Sequence, residues 1–128
     1  MNINTGDNIT NLLQSFLDVQ SRRSEVIAGN IANADTPGYV AKELDFNDYL
    51  RDAAEQSSLP LSRQREMSLS NEPHVVDQTP TVIGLDGNTV DAGREMADLA
   101  QAGSNFNFGA KMLQSRLRLL RTAIREGK

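Results

Sequence analysis

The sequence predicts a mainly α-helical protein. Long N- and C-terminal helices are expected to pack as an antiparallel, coiled-coil-like hairpin, with a small irregular, partly β or disordered middle segment. Apolar residues recur at helical spacing near both ends of the 128-residue chain. The centre is rich in Ser, Gln, Glu and Pro and has little periodicity. Each terminal helix would expose an apolar face to water on its own, so the two are predicted to cover each other.

A first helix is predicted over residues 8–35. It must end near Ala34, because Thr36 precedes a proline and a residue in that position disfavours helical backbone. Pro37 and Gly38 suit the two central positions of a type II turn. The apolar residues expected to pack from this helix are Ile9, Leu12, Leu13, Phe16, Leu17 and Ile27.

The middle segment, residues 36–90, is predicted to hold a turn, a short helix and a variable connector. The short helix is expected over 43–55, and the connector over 56–80 is expected to be mobile. A tight turn is predicted at 86–88 from its Asp-Gly-Asn sequence. Two short extended runs that could pair or dock lie at 74–76 and 81–83.

The second long helix is predicted over residues 91–126, with Asp91 as its N-cap. Nine positions spaced alternately by three and four residues form an a/d heptad pattern. Two of these, Gly103 and Ala110, are small and would allow a neighbour to approach closely. The larger members of this heptad stripe are Met96, Leu99, Phe106, Leu113, Leu117, Leu120 and Ile124. A second apolar edge, which favours a multi-helix assembly over a lone hairpin, is formed by Phe108, Met112 and Leu119.

The charge of the chain is unevenly distributed. The net charge is −4, but residues 111–128 carry six basic and one acidic side chain, or +5, which leaves −9 for the rest. A basic end on an acidic body permits head-to-tail attraction between copies or related subunits. The simpler interpretation is that cations favour the C-terminus of a helix.

The chain has few of the residues that catalytic or metal sites use. The chain has no cysteine and one histidine, His74, in a polar stretch. Asp86, Asn88, Asp91 and Glu95 have oxygen ligands, but their spacing fails the EF-hand pattern. The basic helix also carries a full apolar stripe and the body is acidic, which opposes nucleic-acid binding. We therefore predict no catalytic residues, no metal, no cofactor, no nucleic acid and no small-molecule substrate.

One long motif, NIANADTPGY at residues 30–39, lies at the C-terminal end of the first predicted helix. It resembles the N-terminal signature shared by the rod, hook and hook-associated axial proteins of the bacterial flagellum. Three shorter motifs narrow the resemblance to a subunit of the proximal rod: Asp45-Phe46, the segment DGNTVD at 86–91, and Glu95-Met96-Ala97. The ending at 120–124 fits the same group.

This resemblance implies a single axial-protein domain over 1–128 and a structural, non-enzymatic role. Such subunits leave the cell through the flagellar type III export gate without a cleaved signal peptide, and the N-terminus has no apolar signal core. The implied location is the periplasmic rod of the basal body. The implied partners are other rod proteins, the rod-base adaptor and the inner-membrane ring, and the isolated chain is expected to be monomeric or weakly associating. The alternative is a soluble helical-hairpin adaptor or export chaperone.

The signature places two asparagines, three residues apart, on one face of a helix. Buried carboxamides need hydrogen-bond partners, and in a tube of helices a neighbouring subunit could supply them. We therefore predict an assembly motif that sets register between subunits. The alternative is that both asparagines are satisfied within the subunit. The residues of this predicted motif are Asn30, Ile31, Asn33, Asp35, Thr36, Pro37, Gly38 and Tyr39.

Overall fold

A computed structural model describes residues 3–56, 59 and 72–127 of the chain. The two long helices account for most of it. Within these ranges, no helix combines the length and the apolar character that a membrane span requires. The elements in chain order are α1 (Ile3–Ala32), β1 (Lys42–Asp45), α2 (Asn47–Gln56), β2 (His74–Asp77) and α3 (Ala92–Glu126).

The helices α1 and α3 pack side by side and run antiparallel, as predicted. Residues late in α1 contact residues early in α3, and the order reverses along the pair. Asn30 bonds Glu95, and Gln20 accepts a hydrogen bond of 3.4 Å from Asn105. Phe16 lies against Gly109. The pair is about 45–50 Å long, since each helical residue rises about 1.5 Å.

The line of α3 that faces α1 is made of small and polar residues. Its buried members are Glu95, Ala102 and Gly109, each seven residues from the next. A Cβ atom at Gly109 would lie 2.9 Å from Phe16 Cδ1 and 3.0 Å from Leu17 Cδ2. The absence of a side chain there lets α1 approach α3 closely, and the rings and methyl groups of α1 fill the space.

The predicted heptad stripe lies to one side of this line. Met96 follows Glu95 by one residue, which turns it about 100° around the helix. Leu99 and Leu113 are half-buried, as are four of the predicted α1 residues, whereas Ile27 is buried and Ile9 is exposed. The stripe is therefore not the centre of the contact within the chain. Its exposed large members are Met96, Phe106, Leu117, Leu120 and Ile124.

Among the described residues of the middle segment, the short helix and the extended runs differ in part from their predictions. The short helix expected over 43–55 begins only at Asn47, because Lys42–Asp45 is a strand. This strand pairs antiparallel with β2, with Lys42 opposite Asp77 and Asp45 opposite His74. The run expected at 74–76 is thus a strand, but its partner is β1. The run at 81–83 is not in a strand.

Both predicted turns are present. Tyr39 N donates to Thr36 O, and Gly38 has a φ of +70°, which is the geometry of a type II turn with Pro37 and Gly38 at its centre. In the second turn, Gly87 N donates to Gly84 O and Gly84 N donates to Asn88 O. The φ of Gly87 is +80°, a conformation that glycine adopts without strain.

The helix ends agree with the sequence to within a few residues. The first helix starts earlier than predicted, at Ile3, and ends at Ala32. The Asp91 N-cap is confirmed, because its side chain accepts a hydrogen bond of 3.1 Å from Arg94 N. Most of the connector predicted over 56–80 lies outside the described residues.

Two glycines of α3 provide a matched test of the close approach. A Cβ atom added at Gly103 would have nothing within 4 Å, whereas one at Gly109 would contact Phe16 and Leu17. We expect G103A to stabilise the isolated chain by about 0.5–1 kcal/mol through helix propensity. G109A should instead destabilise it by about 1–2 kcal/mol, because the added methyl group overpacks the seam. Urea unfolding followed by circular dichroism measures both, and equal stabilisation by the two variants would contradict this packing.

Candidate functional site

The carboxamide of Asn30 lies at one end of the helix pair, in the middle of the contact between α1, β1 and α3. It is fully buried. Its Nδ2 donates to Lys42 O at 2.7 Å and to Glu95 Oε2 at 3.0 Å. Its Oδ1 accepts from Lys42 N at 2.9 Å and from the Tyr39 hydroxyl at 3.4 Å. Both donors and both acceptor positions of the side chain are therefore used, and one residue holds three elements together.

Asn33 shapes the end of the same helix. Its Nδ2 donates to Gly29 O, one turn earlier, at 2.8 Å. Its Oδ1 accepts from the Thr36 hydroxyl at 3.2 Å, and Thr36 N donates to Asn33 O. The bond from Thr36 N satisfies the Asn33 carbonyl, which the helix end leaves open, and the side-chain bonds of Asn33 lead the chain directly into the type II turn.

The turn at the end of α1 is docked onto the second turn, 84–88. Asn88 is buried, and its Nδ2 donates to Asn33 O at 2.9 Å and to Thr36 O at 2.7 Å. Gly38 N donates to Asp86 O at 2.9 Å. A Cβ at Gly87 would lie 3.6 Å from Gly38 Cα, so the two glycines are close neighbours. The chain leaves α1 in a direction that this second turn fixes.

The strand side of the junction is held by Thr89. Its N–H donates to Tyr39 O at 3.0 Å, and its hydroxyl accepts from Ala41 N at 2.9 Å. Gln78 N donates to Ala41 O from the other side. The segment after the signature is thus bonded on both sides. We call the whole set, Asn30, Asn33, Thr36, Gly38, Tyr39, Lys42, Asp86, Asn88, Thr89 and Glu95, the junction.

Glu95 is the contribution of α3 to the junction. Only 1% of its surface is exposed. One carboxyl oxygen accepts the bond from Asn30, while Oε1 has no hydrogen-bond partner among the described residues. The possible calcium ligands of the sequence have other partners here. Asp91 caps α3, and Asn88 and Glu95 belong to the junction.

The structure brings part of the predicted assembly motif together. Asn30, Asn33, Thr36, Gly38 and Tyr39 belong to the junction. Ile31 is half-buried beside them, whereas Asp35 and Pro37 are exposed on the turn. The hydrogen bonds of both asparagines are made within the chain, so the expected partner in a neighbouring subunit is not required. This is the alternative that the sequence left open, and an assembly role for the motif stays a prediction.

The sequence alone does not show that the signature at 30–39 and the segment at 86–95 contact each other in the junction. It indicates Asn88 and Glu95 only through the resemblance and as possible oxygen ligands, and it assigns no role to Lys42. A signal for Glu95 exists in the seven-residue spacing of Glu95, Ala102 and Gly109, which marks a helix face one residue away from the apolar stripe. The backbone contacts of Lys42 leave no sequence signal.

Comparison with known proteins points to one group. A family described as "Flagella basal body rod protein" matches residues 14–39, which end with the signature. The chain is 30% identical over 125 residues to the flagellar basal body rod protein FlgB of Yersinia ruckeri, covering 89% of this chain and 91% of that protein. It is 31% identical to FlgB of Salmonella typhimurium and 32% identical to FlgB of Escherichia coli K12, each over 89% of this chain and 91% of the relative.

Removal of the Asn30 carboxamide tests its central position. N30A leaves the backbone of Lys42 and the carboxyl group of Glu95 without partners in a buried site. We expect a loss of about 3 kcal/mol in the free energy of unfolding. The control is S24A in the same helix, whose hydroxyl makes one bond of 2.9 Å to Gln20 O and should matter by less than about 1 kcal/mol. Similar losses in denaturant unfolding for the two variants would argue against this role.

The docking of the two turns can be measured by amide hydrogen exchange. N88A removes the donor to Asn33 O and Thr36 O. We expect the Gly38 and Thr89 amides to exchange at least about tenfold faster, since local opening becomes easier. The Ala102 amide in the seam should not change. N105A, which removes a side-chain bond between α1 and α3 away from the turns, should leave the Gly38 and Thr89 amides as they are.

Proposed function

Because the chain belongs to the family of flagellar basal body rod proteins named FlgB, we propose that it is a structural subunit of the proximal rod. In this proposal it assembles through its terminal helices into the rod that transmits torque from the motor to the hook and filament. The proposal concerns a mechanical and architectural role, and no step of chemistry is needed for it.

The observation that carries the proposal is the pair of exposed apolar flanks on α3. The first flank is the heptad stripe, with Phe106, Leu117 and Ile124 exposed. The second flank holds Phe108, Met112 and Leu119, which are also exposed. By helical periodicity these two flanks lie on opposite sides of the line that contacts α1. Large apolar side chains on both sides of the α1 contact thus remain exposed after the chain has folded.

Two flanks on one helix favour a particular kind of assembly. A two-fold dimer would use the same surface on both copies and would leave the other flank wet. If one flank of a copy packs against a different surface of its neighbour, the contact is heterologous and propagates as a ring or a helix. A rod that grows by adding copies needs such a propagating contact. Large exposed apolar patches are also unusual on a protein that remains alone in water.

The junction supports the same proposal from the other end of the hairpin. It fixes how the middle segment leaves α1 relative to the α1–α3 pair, through bonds that are all within the chain. A subunit with a fixed shape can present its flanks and its middle segment to different neighbours in one register. We propose that these neighbours are other rod proteins, the rod-base adaptor, the inner-membrane ring and, during export, the type III gate. The proposed location is the periplasmic rod.

Both flanks are accessible to mutation without disturbing the fold. Leu117 is 51% exposed and Leu119 is 70% exposed. We expect L117Q and L119Q each to change the stability of the isolated chain by less than about 0.5 kcal/mol. A leucine buried in an interface contributes roughly 2 kcal/mol, so the loss weakens a contact by more than about tenfold. In a strain that lacks the native gene, either variant should strongly reduce swimming and the number of hook–basal bodies seen by electron microscopy.

The matched control is Q114A, an exposed position of α3 that lies on neither flank. It should restore rods as well as the unmodified chain does. Intact basal bodies in the strain without this chain would refute the rod proposal. Normal rods with both L117Q and L119Q would leave the rod role in place but remove the flanks from its interface.

A further inference from the structure

The folded chain has opposite charges at its two ends. The antiparallel pair places the last turns of α3 beside the start of α1, far from the middle segment. Arg125 follows Glu95 by 30 residues, which is about 45 Å along the helix. Of the described residues, 111–127 carry five basic and one acidic side chain, or +4, whereas 22–56 and 72–98 carry five basic and thirteen acidic side chains, or −8. Because of this distance, the basic end cannot be neutralised by the acidic end of its own copy.

The cations at the basic end form a stripe on the outer side of α3. Arg118 follows Gly109 by nine residues, which is two and a half turns, so it points away from α1. Arg121 and Arg125 lie within about 60° of Arg118, and Lys111 continues the stripe toward the middle of the helix. All four are exposed, and none makes an ion pair with a described residue.

The opposite end has a cleft between α1, β1 and the start of α3. Its volume is about 350 Å³, and its lining includes three basic and four acidic side chains, a net charge of −1. The basic ones already have partners. Arg23 and Arg94 each lie 3.9 Å from Asp98, and Lys42 is bonded to Asp77. Glu95 also lines the cleft, and its buried Oε1 has no donor among the described residues.

We infer that this cleft binds an arginine from the C-terminal turns of α3 in a second copy of the chain, Arg121 or Arg125. A guanidinium group has several donors on a long side chain, so it can reach a recessed carboxyl oxygen and bond to it. It would supply the donor that Glu95 Oε1 lacks and the single positive charge that neutralises the cleft. The contact joins copies end to end, and its use in a rod rests on the proposed function.

The contact can be located in solution with the full chain. The protein has no cysteine, so G127C gives a single site for a nitroxide spin label beside Arg125. This labelled copy is mixed with an unlabelled, ¹⁵N-enriched copy. At low ionic strength, about 20 mM salt, we expect broadening of the amide signals of Asn47 and Asp98, which line the cleft. Raising the salt to about 0.5 M should remove most of it, since exposed charges are then screened.

Charge reversal separates this contact from general attraction. R121E combined with R125E in the labelled copy should lower the association constant, taken from the concentration dependence of the broadening, by at least about tenfold. The matched control is K111E combined with R118E, which reverses two charges on the same stripe, about 21 Å and 10 Å from Arg125. It should change the constant by less than about threefold. In the ¹⁵N copy, E95Q should weaken binding as well, and D45N on the cleft wall replaces it if E95Q does not fold.

Three outcomes would overturn the inference: no broadening at all, broadening along α3 in place of the cleft, or equal effects of the two double reversals. These results are independent of the rod role. If the end-to-end contact fails while the chain still restores rods in the deletion strain, the proposed function stands. If the deletion strain builds rods without the chain, the proposed function fails whatever the spin label shows.

Discussion

The fold depends most on one buried carboxamide. Two long helices can slide and rotate against each other when small apolar residues line their contact, because dispersion contacts have no fixed direction. Asn30 removes this freedom, since its four hydrogen bonds have required positions on β1, on α3 and on Tyr39. Each would leave a buried polar group unpaired if the helices shifted. The register of the helix pair and the path of the middle segment are therefore set together at one residue.

The seam itself explains why so much apolar surface remains outside. Close approach at Ala102 and Gly109 brings α1 near the axis of α3, so the large side chains on α3 are displaced to its flanks. Among the residues whose burial is described, the buried hydrophobic side chains are Val19, Ile27, Ala41, Leu44 and Ala102. If the heptad stripe faced α1, the isolated chain would bury more apolar surface and would be more stable. Here the polar junction provides a specific shape, and the apolar residues that would ordinarily stabilise a core remain available to neighbours.

The sequence predicted the parts of this structure that rest on local rules. Thr36, Pro37 and Gly38 predicted the end of α1 and the type II turn, and Asp91 predicted the cap of α3, because these effects act within a few residues. The strand at Lys42–Asp45 was missed, since its partner lies about thirty residues away and its backbone bonds to Asn30 depend on the third dimension. The heptad spacing correctly predicted a long helix, but its stripe is not the centre of the contact with α1, because glycine and alanine form a seam there that hydrophobicity does not reveal.

The same reasoning explains why two distant segments of the sequence, residues 30–39 and 86–95, depend on each other. The signature ends α1, and the segment from Asp86 to Glu95 supplies the turn, the buried Asn88 and the carboxyl group that it contacts. Neither word can make its bonds alone: Asn33 O and Thr36 O need the Asn88 side chain, and Asn30 needs Glu95. A substitution in one is therefore felt by the other across more than fifty residues. Since all of these bonds are internal, the junction sets the shape of the subunit, while affinity for neighbours must come from the exposed flanks and charged ends that this shape holds in place.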